Sequence, residues 1–191
     1  MNFVLVPFPA TASLDHMNGD ISGRIDGTIQ RSGNQLIVEF RTLSRLGIRW
    51  PEAGTPPERR SGLWEFTCFE CFIGLGDADT YIETNLSPAG HWQAFEFEAY
   101  RDVAVPSQTV RVAGQSVIDT TMNTSSNNQY RINCTIDIEH PRFVTSDWHI
   151  APTTVLEDLE GQLHYYALSH SGGRPDFHLA ATRTLVLPLS D

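Results

Sequence analysis

Aromatic, acidic and amide side chains recur at short spacing between positions 63 and 101, where short alternating runs predict strands. Sugar rings present apolar C–H patches that pack on aromatic faces, and hydroxyl groups that donate to carboxylates or amides. The set consists of Trp64, Glu70, Tyr81, Glu83, Asn85 and Trp92. We expect these side chains to contact a small-molecule ligand, a sugar above all.

The two acids Glu70 and Glu83 also permit a catalytic interpretation. Two carboxylates placed side by side cannot both ionise without cost, so one pKa rises, as in the acid/base pairs of glycosidases. Arginine or solvent usually relieves such a pair on a sheet, and Arg59, Arg60 and Arg101 are available for this. We therefore expect no catalytic residue and no enzyme, with a glycosidase-like hydrolase as an alternative.

A second polar group lies in the segment 170–178, which reads HSGGRPDFH. The glycines and the Arg-Pro pair predict a sharp turn, after which Asp176 and His178 share one side of an extended chain. They could hold a ligand hydroxyl or a metal. Alternatively, Asp176 accepts from turn amides and His178 packs at a sandwich rim. Arg101, His170, Asp176 and His178 complete the predicted ligand-binding residues.

Two predicted hairpins must position the first set. A turn at positions 87–90, with Pro and Gly in favourable places, pairs Leu86 with His91 and Glu83 with Ala94. A loop at 74–79 then pairs Glu70 with Glu83.

Directly opposed residues share a face of a sheet and alternate residues swap faces. One face is then expected to be apolar, with Phe69, Cys71, Ile73, Ile82, Leu86, Phe95 and Phe97. The other is expected to be aromatic and acidic, with Trp64, Phe66, Cys68, Glu70, Phe72, Tyr81, Glu83, Asn85, Trp92, Glu96, Glu98 and Tyr100. A core needs only one such face, so the second face is the candidate binding surface.

Short alternating runs bounded by Gly, Pro, Asn and Asp dominate the whole chain and predict an all-β, antiparallel β-sandwich. The candidate strands are 20–29, 35–42, 63–73, 81–86, 92–100, 111–119, 130–137, 147–156, 163–169 and 182–187. Positions 43–46 or 139–143 could add one short helical turn. The length of 191 residues suits a single domain, 1–191.

Composition excludes several classes of function. The net charge of −10 argues against nucleic acid and against anionic membrane surfaces. All 13 basic residues are Arg, which excludes a catalytic lysine. The first residues lack a basic n-region and contain two prolines, so no signal peptide is expected, and a cytoplasmic location is the expectation for a full-length chain.

The three cysteines predict neither a disulfide nor a zinc site. Cys68 and Cys71 match C-x-x-C, but an offset of three within a strand sends their side chains to opposite faces. We expect reduced cysteines that pack inside the protein.

Three motifs resemble the DOMON-like domains related to family 9 carbohydrate-binding modules. They are LW-x3-CFE-x-FI, Y-x-E-x-N-x-SP-x-G-x-W-x2-F-x-F-x2-YR and ALSH-x3-RPDFH, within 63–101 and 167–178. The resemblance implies a jelly-roll-like sandwich without established enzymatic activity. It places Trp64 and Glu70 at sugar-contacting positions and provides no equivalent of the second aromatic clamp that such modules carry late in the chain.

The leading prediction is a non-catalytic binding domain for a sugar or sugar-like metabolite, with no required cofactor. Relatives in the broader group bind haem, which needs axial His or Met, and here Met17 and Met122 stand in loop-like sequence. Structural calcium would involve Asp77 and Asp79, although a solvated turn is the alternative. A partner-binding protein, with the aromatic face as its interface, is a further possibility, and the sequence leaves the oligomeric state open.

Overall fold

The computed structural model describes residues 1–8, 24–44, 47–51, 56–76, 78–119 and 128–189. Within these ranges the helical elements are two 3-10 turns, Leu63–Glu65 and Ala180–Thr182. No helix of the described residues is long and apolar enough to cross a bilayer. Strands therefore build the fold, as the short alternating runs predict.

Twelve strands lie within the described ranges. In chain order they are β1 (Asn2–Pro7), β2 (Arg24–Ser32), β3 (Gln35–Ser44), β4 (Cys68–Gly74), β5 (Tyr81–Leu86), β6 (Trp92–Phe97), β7 (Val105–Pro106), β8 (Val110–Asp119), β9 (Asn128–Ile138), β10 (Trp148–Glu157), β11 (Leu163–Ala167) and β12 (Leu185–Leu187).

The strands form two antiparallel sheets that share β1. Sheet A has the order β1-β2-β3-β9-β8, and sheet B has the order β7-β6-β5-β4-β10-β11, with β12 also on β10. The first half of β1 pairs with β2, and its end, Val6 and Pro7, pairs with β11. The prediction of an all-β, antiparallel sandwich is confirmed.

The main core fills the space between the inner faces of the two sheets. Phe40 of sheet A and Phe69 of sheet B meet there, with ring centroids 5.1 Å apart. Cys71 and Cys134 pack in the same cluster, and all three cysteines are free and buried. Burial of this apolar surface is the main stabilising contribution to the sandwich.

Several predicted boundaries are wrong. The predicted strand 63–73 begins only at Cys68, because Gly62 adopts a left-handed conformation, φ 77°, and starts a 3-10 turn that carries Trp64. Sequence reasoning missed β1 and β7, which end at Pro7 and Pro106; edge or terminal positions of a sheet tolerate proline. Of the predicted helical turns, 141–145 forms a turn, 43–44 belongs to β3, and 45–46 lies outside the described residues.

The predicted register between β4 and β5 is wrong by two residues. Glu70 lies opposite Asn85, and Glu83 lies opposite Phe72. A shift of two preserves the side-chain period, so the predicted faces of β4 and β5 remain correct. The shift also brings Ile73 opposite Ile82 in the core.

The predicted register between β5 and β6 is wrong by one residue, and this inverts the faces of β6. The loop has five residues, 87–91, and the Ser87 N–H donates to the His91 carbonyl at 2.8 Å. Glu83 therefore faces Phe95, and Leu86 faces Trp92. Phe95 and Phe97 lie on the outer face with the acids, whereas Trp92 packs against the main core.

Candidate functional site

A cleft of about 740 Å³ opens on the outer face of sheet B, away from the main core. Strands β4, β5, β6, β10 and β11 supply its floor. Apolar floor side chains are Phe72, Phe95, Phe97, Val155, Leu163 and Tyr165, and Glu70 and Glu83 are the two floor acids. The walls come from the 3-10 turn, from the loop after β6 and from the segment after β11.

Trp64 forms one wall of the cleft. Its ring meets Phe95 edge to face, with centroids 5.8 Å apart, and 40% of the residue is exposed. The 3-10 turn places it there because the chain bends out of the sheet before β4 begins. An apolar ring beside a desolvated floor gives a ligand a flat surface to stack against.

Glu70 is almost completely buried on the floor, at 2% exposure. The hydroxyl of Thr153 on β10 donates to its Oε2 at 2.9 Å. Burial raises the pKa of Glu70, and the nearby charge of Glu83 raises it further. Glu70 is therefore harder to ionise than an exposed glutamate.

Glu83 is held by Asn85, whose amide donates to its Oε1 at 2.7 Å. Burial raises the pKa of Glu83, whereas this hydrogen bond and the positive charge of Arg101 oppose the rise. The two acids are diagonal neighbours across β4 and β5 rather than directly opposed, and diagonal neighbours are typically separated by about 7–8 Å, with their Cβ atoms somewhat closer. The floor thus carries two neighbouring carboxyls, and burial raises the pKa of both.

The opposite wall is pinned by Asp176. Tyr100 donates to its Oδ2 at 2.5 Å and the Arg101 guanidinium donates to its Oδ1 at 3.0 Å. The backbone N–H of His178 also donates to Oδ1, at 3.2 Å. Although burial opposes it, the hydrogen bond from Tyr100 lowers the pKa of Asp176. Asp176 is occupied by protein donors, so its observed role is to fasten the segment that carries His178.

His178 lines the cleft, and Tyr81 lies beneath it. The Tyr81 hydroxyl and His178 Nδ1 are 2.7 Å apart. Burial lowers the pKa of His178 to about 4, and the positive charge of Arg101 acts in the same direction. Tyr81 is fully buried and stacks on Phe97, with centroids 4.5 Å apart, so it supports the wall from behind.

Of the residues predicted from the sequence, the structure brings five to the lining of the cleft and three immediately behind it. Trp64, Glu70, Glu83, Arg101 and His178 line it. Tyr81, Asn85 and Asp176 are hydrogen-bonded to lining residues or their backbone.

Trp92 and His170 do not join the cleft. The one-residue shift between β5 and β6 turns Trp92 to the inner side, where the Arg59 guanidinium lies 4.7 Å from its ring centroid. His170 Nε2 bonds to the Val6 carbonyl at 2.9 Å, and its ring packs on Phe8. His170 therefore ties the segment after β11 to β1.

Sequence reasoning missed much of the apolar lining. It assigned Phe95 and Phe97 to the wrong face, and it did not connect β11 to the site. Leu163, Tyr165 and Ala167 alternate along the sequence and so indicated one face of a strand. No feature of the neighbouring sequence indicated that β11 lies two strands from β4 in the sheet. The ring of Phe177 packs on that of Phe72, with centroids 6.2 Å apart, but sequence reasoning placed Phe177 only in the turn segment.

The described part of the chain does not support the candidate haem or calcium ligands. There, no group of three His, Cys, Asp or Glu side chains could hold a metal ion. Met17 and Met122, the candidate haem ligands, and Asp77, one of the candidate calcium ligands, lie outside the described residues.

Comparisons with known proteins bear on the fold. No protein-family model and no curated protein match the chain. A crystal structure of a candidate carbohydrate-binding protein from Bacteroides uniformis aligns with 96% of this chain and 85% of its own, at 15% identity and a TM-score of 0.59.

Two structures of a family 9 carbohydrate-binding module from Caldicellulosiruptor kristjanssonii also align with 79% of the chain. One holds cellotriose (68% of that chain, 7% identity, TM-score 0.46) and the other glucose (69%, 8%, 0.44). The TM-score of 0.59 and the 96% coverage of the first alignment show that this chain has the fold of the Bacteroides uniformis protein.

Proposed function

We propose that this protein is a non-catalytic carbohydrate-binding domain and that the outer-face cleft holds the sugar. One observation carries the proposal: an exposed tryptophan, Trp64, stands beside two buried acids, Glu70 and Glu83, in a single cleft. The aromatic ring suits the C–H face of a sugar, and the carboxyl oxygens accept from its hydroxyls.

The size and lining of the cleft support a small ligand. Its volume of about 740 Å³ falls within the usual range of roughly 300–1,000 Å³ for small-molecule sites. Like those sites, it combines mostly apolar walls with a few polar groups that fix orientation. The fold that it shares with the Bacteroides uniformis protein is compatible with this use, whereas the cleft residues carry the argument.

The absence of catalysis is supported by how the two acids are held. Glu70 is bonded to Thr153 and Glu83 to Asn85, and each is less than 10% exposed. Both carboxyls are thus held side by side on one floor of the cleft, whereas the two carboxyls of a glycosidase flank the scissile bond.

Calorimetry with a panel of mono-, oligo- and nucleotide sugars tests the proposal. Trp64→Ala should weaken the affinity for the sugars that bind by about tenfold or more, because truncating an aromatic anchor removes a large share of the contact. Phe66→Ala is the matched control: Phe66 is 55% exposed, two residues along, and outside the lining of the cleft. It should leave the affinity unchanged.

Three results would contradict the proposal. Flat calorimetry across the whole panel would remove carbohydrate as the ligand. Equal affinity of wild type and Trp64→Ala would move binding away from the cleft. Release of free sugar from an oligosaccharide, lost in Glu70→Gln or Glu83→Gln, would instead establish the hydrolase alternative.

A further inference from the structure

The hydroxyl of Tyr81 has two neighbours, and their chemistry fixes the direction of both hydrogen bonds. The backbone N–H of Arg101 approaches it at 3.3 Å, and His178 Nδ1 approaches it at 2.7 Å. The amide of Arg101 can only donate, so the Tyr81 oxygen accepts there. Arg101 is held for this contact in a left-handed conformation, φ 51°, which is found for no other non-glycine among the described residues.

The remaining hydrogen of the Tyr81 hydroxyl needs an acceptor. Tyr81 is fully buried, and among its described contacts His178 Nδ1 is the remaining partner of the hydroxyl. If Nδ1 carried a hydrogen, the hydroxyl would face two donors and its own hydrogen would be buried without a partner. A buried donor left without an acceptor loses its hydrogen bonds to water and gains nothing in return, so that arrangement is disfavoured. Tyr81 therefore donates, and His178 Nδ1 accepts.

We propose that Tyr81 fixes His178 as the neutral Nε2–H tautomer, and that this N–H is a specificity-determining donor to an oxygen of the bound ligand. A neutral imidazole carries one hydrogen, so a filled acceptor position at Nδ1 leaves it on Nε2. The described hydrogen bond of the His178 side chain uses Nδ1, its ring meets Phe72 edge to face, and the residue lines the cleft. Nε2 has no described hydrogen bond and is not among the buried polar atoms that lack a partner, so it remains open to a ligand. The ligand-binding role rests on the proposed function.

The charges around His178 agree with a neutral ring. Burial lowers the pKa of His178, Arg101 and Arg183 lower it further, and Asp176 opposes them. Asp176 is itself occupied by Tyr100 and Arg101 and reaches His178 through the backbone N–H. Burial raises the pKa of Tyr81 to about 12, which keeps its hydroxyl protonated and able to donate.

This arrangement gives the cleft two chemically different sides. Glu83 on the floor accepts from ligand hydroxyls, while His178 on the wall donates. A ligand that satisfies both must present a hydroxyl donor to one side and an oxygen acceptor, such as a ring oxygen, an ether oxygen or a carboxylate, to the other. An ammonium group facing His178 would be rejected, because it has no lone pair to accept.

Nitrogen-15 NMR of the imidazole rings tests the tautomer without any ligand. The His178 ring, assigned by the signals lost in His178→Gln, should show a protonated Nε2 and an unprotonated Nδ1 at neutral pH. Tyr81→Phe should produce signals of both tautomers, because Nδ1 loses its donor. His140→Gln, a change outside the cleft in the turn between β9 and β10, should leave the His178 signals unchanged. An Nδ1–H tautomer in the wild type would overturn the proposal.

Ligand binding tests the donor role with a matched pair of variants. The amide of His178→Gln can place a donor near the Nε2 position, whereas that of His178→Asn reaches only the Nδ1 position. His178→Asn should weaken sugar affinity by about tenfold and His178→Gln by less. Equal losses in both variants, or none, would overturn the donor role. If no sugar binds while NMR shows the Nε2–H tautomer, the proposed function fails and the tautomer assignment stands.

Discussion

On strands β4 and β5, the two faces of sheet B differ in chemistry. The inner face carries Phe69, Cys71, Ile73, Ile82 and Leu86, all buried and apolar, together with Thr84. The outer face carries Glu70, Phe72, Tyr81, Glu83 and Asn85, where acids and an amide interrupt the aromatic side chains.

The inner face stabilises the sheet, whereas the outer face carries the polar groups that could bind a ligand. An apolar face needs only shape complementarity with the opposite sheet. Buried carboxyls oppose folding unless hydrogen bonds offset their desolvation, and here Thr153 and Asn85 supply those bonds. A face that keeps such groups at a cost in stability is the one to examine for function.

The largest expected effect is on the inner face. Phe69→Ala should lower the free energy of unfolding by about 3–5 kcal/mol, because Phe69 is fully buried and contacts Phe40 of the other sheet. Urea unfolding measures this. Phe66→Ala, at an exposed aromatic, should change stability by no more than about 0.5 kcal/mol. Similar losses in both variants would refute the assignment of Phe69 to the core.

A smaller effect of opposite sign is expected on the outer face. The pKa of Glu70 is raised in the folded state, mainly by burial, from an ordinary value of 4.5. Its protonated form therefore supports folding at low pH, and this support is lost as pH rises above 4.5 through the higher folded pKa. Glu70→Gln cannot ionise and should therefore be more stable than wild type at pH 8, with little difference at pH 4.

Unfolding in urea across this pH range measures the difference. Glu98→Gln is the control, since the Glu98 side chain is 77% exposed, and it should follow the wild-type curve. If the pH dependence of Glu70→Gln matched that of wild type, the acid would not be desolvated in the floor and the contrast between the two faces would weaken.

The smallest effect concerns the wall rather than the sheet. Tyr100→Phe removes the hydrogen bond to Asp176 and should lower stability by about 1 kcal/mol. Amide hydrogen exchange should increase in the segment 174–178, which Asp176 fastens, and not in β4. Unchanged exchange at 174–178 would show that Arg101 alone holds the segment.

Much of the fold could be predicted locally, and the exceptions are instructive. The bounds of β5 were predicted to the residue, because its alternation is bounded by clear turn residues. The faces of β4 were predicted correctly despite a wrong register. Side chains alternate between faces at every residue, so a shift of two residues leaves each side chain on the same face. The faces of β6 were predicted wrongly, because one extra residue in the turn, His91, inverts every assignment.

The candidate site divides in the same way. Trp64, Glu70 and Glu83 could be named from residue type and spacing, because they lie within or beside two adjoining hairpins. The contributions of Thr153, Tyr165 and Phe177 could not, because β10, β11 and the following segment reach the cleft through pairing between strands that are distant in sequence.

The sequence by itself determined that this chain forms an antiparallel β-sandwich and that one sheet face mixes aromatics with acids, since both follow from side-chain alternation and turn residues. Only the tertiary structure decided which aromatics join the acids, that burial raises the pKa of both acids, and which nitrogen of His178 accepts from Tyr81. Those properties depend on register, burial and contacts between residues far apart in the chain.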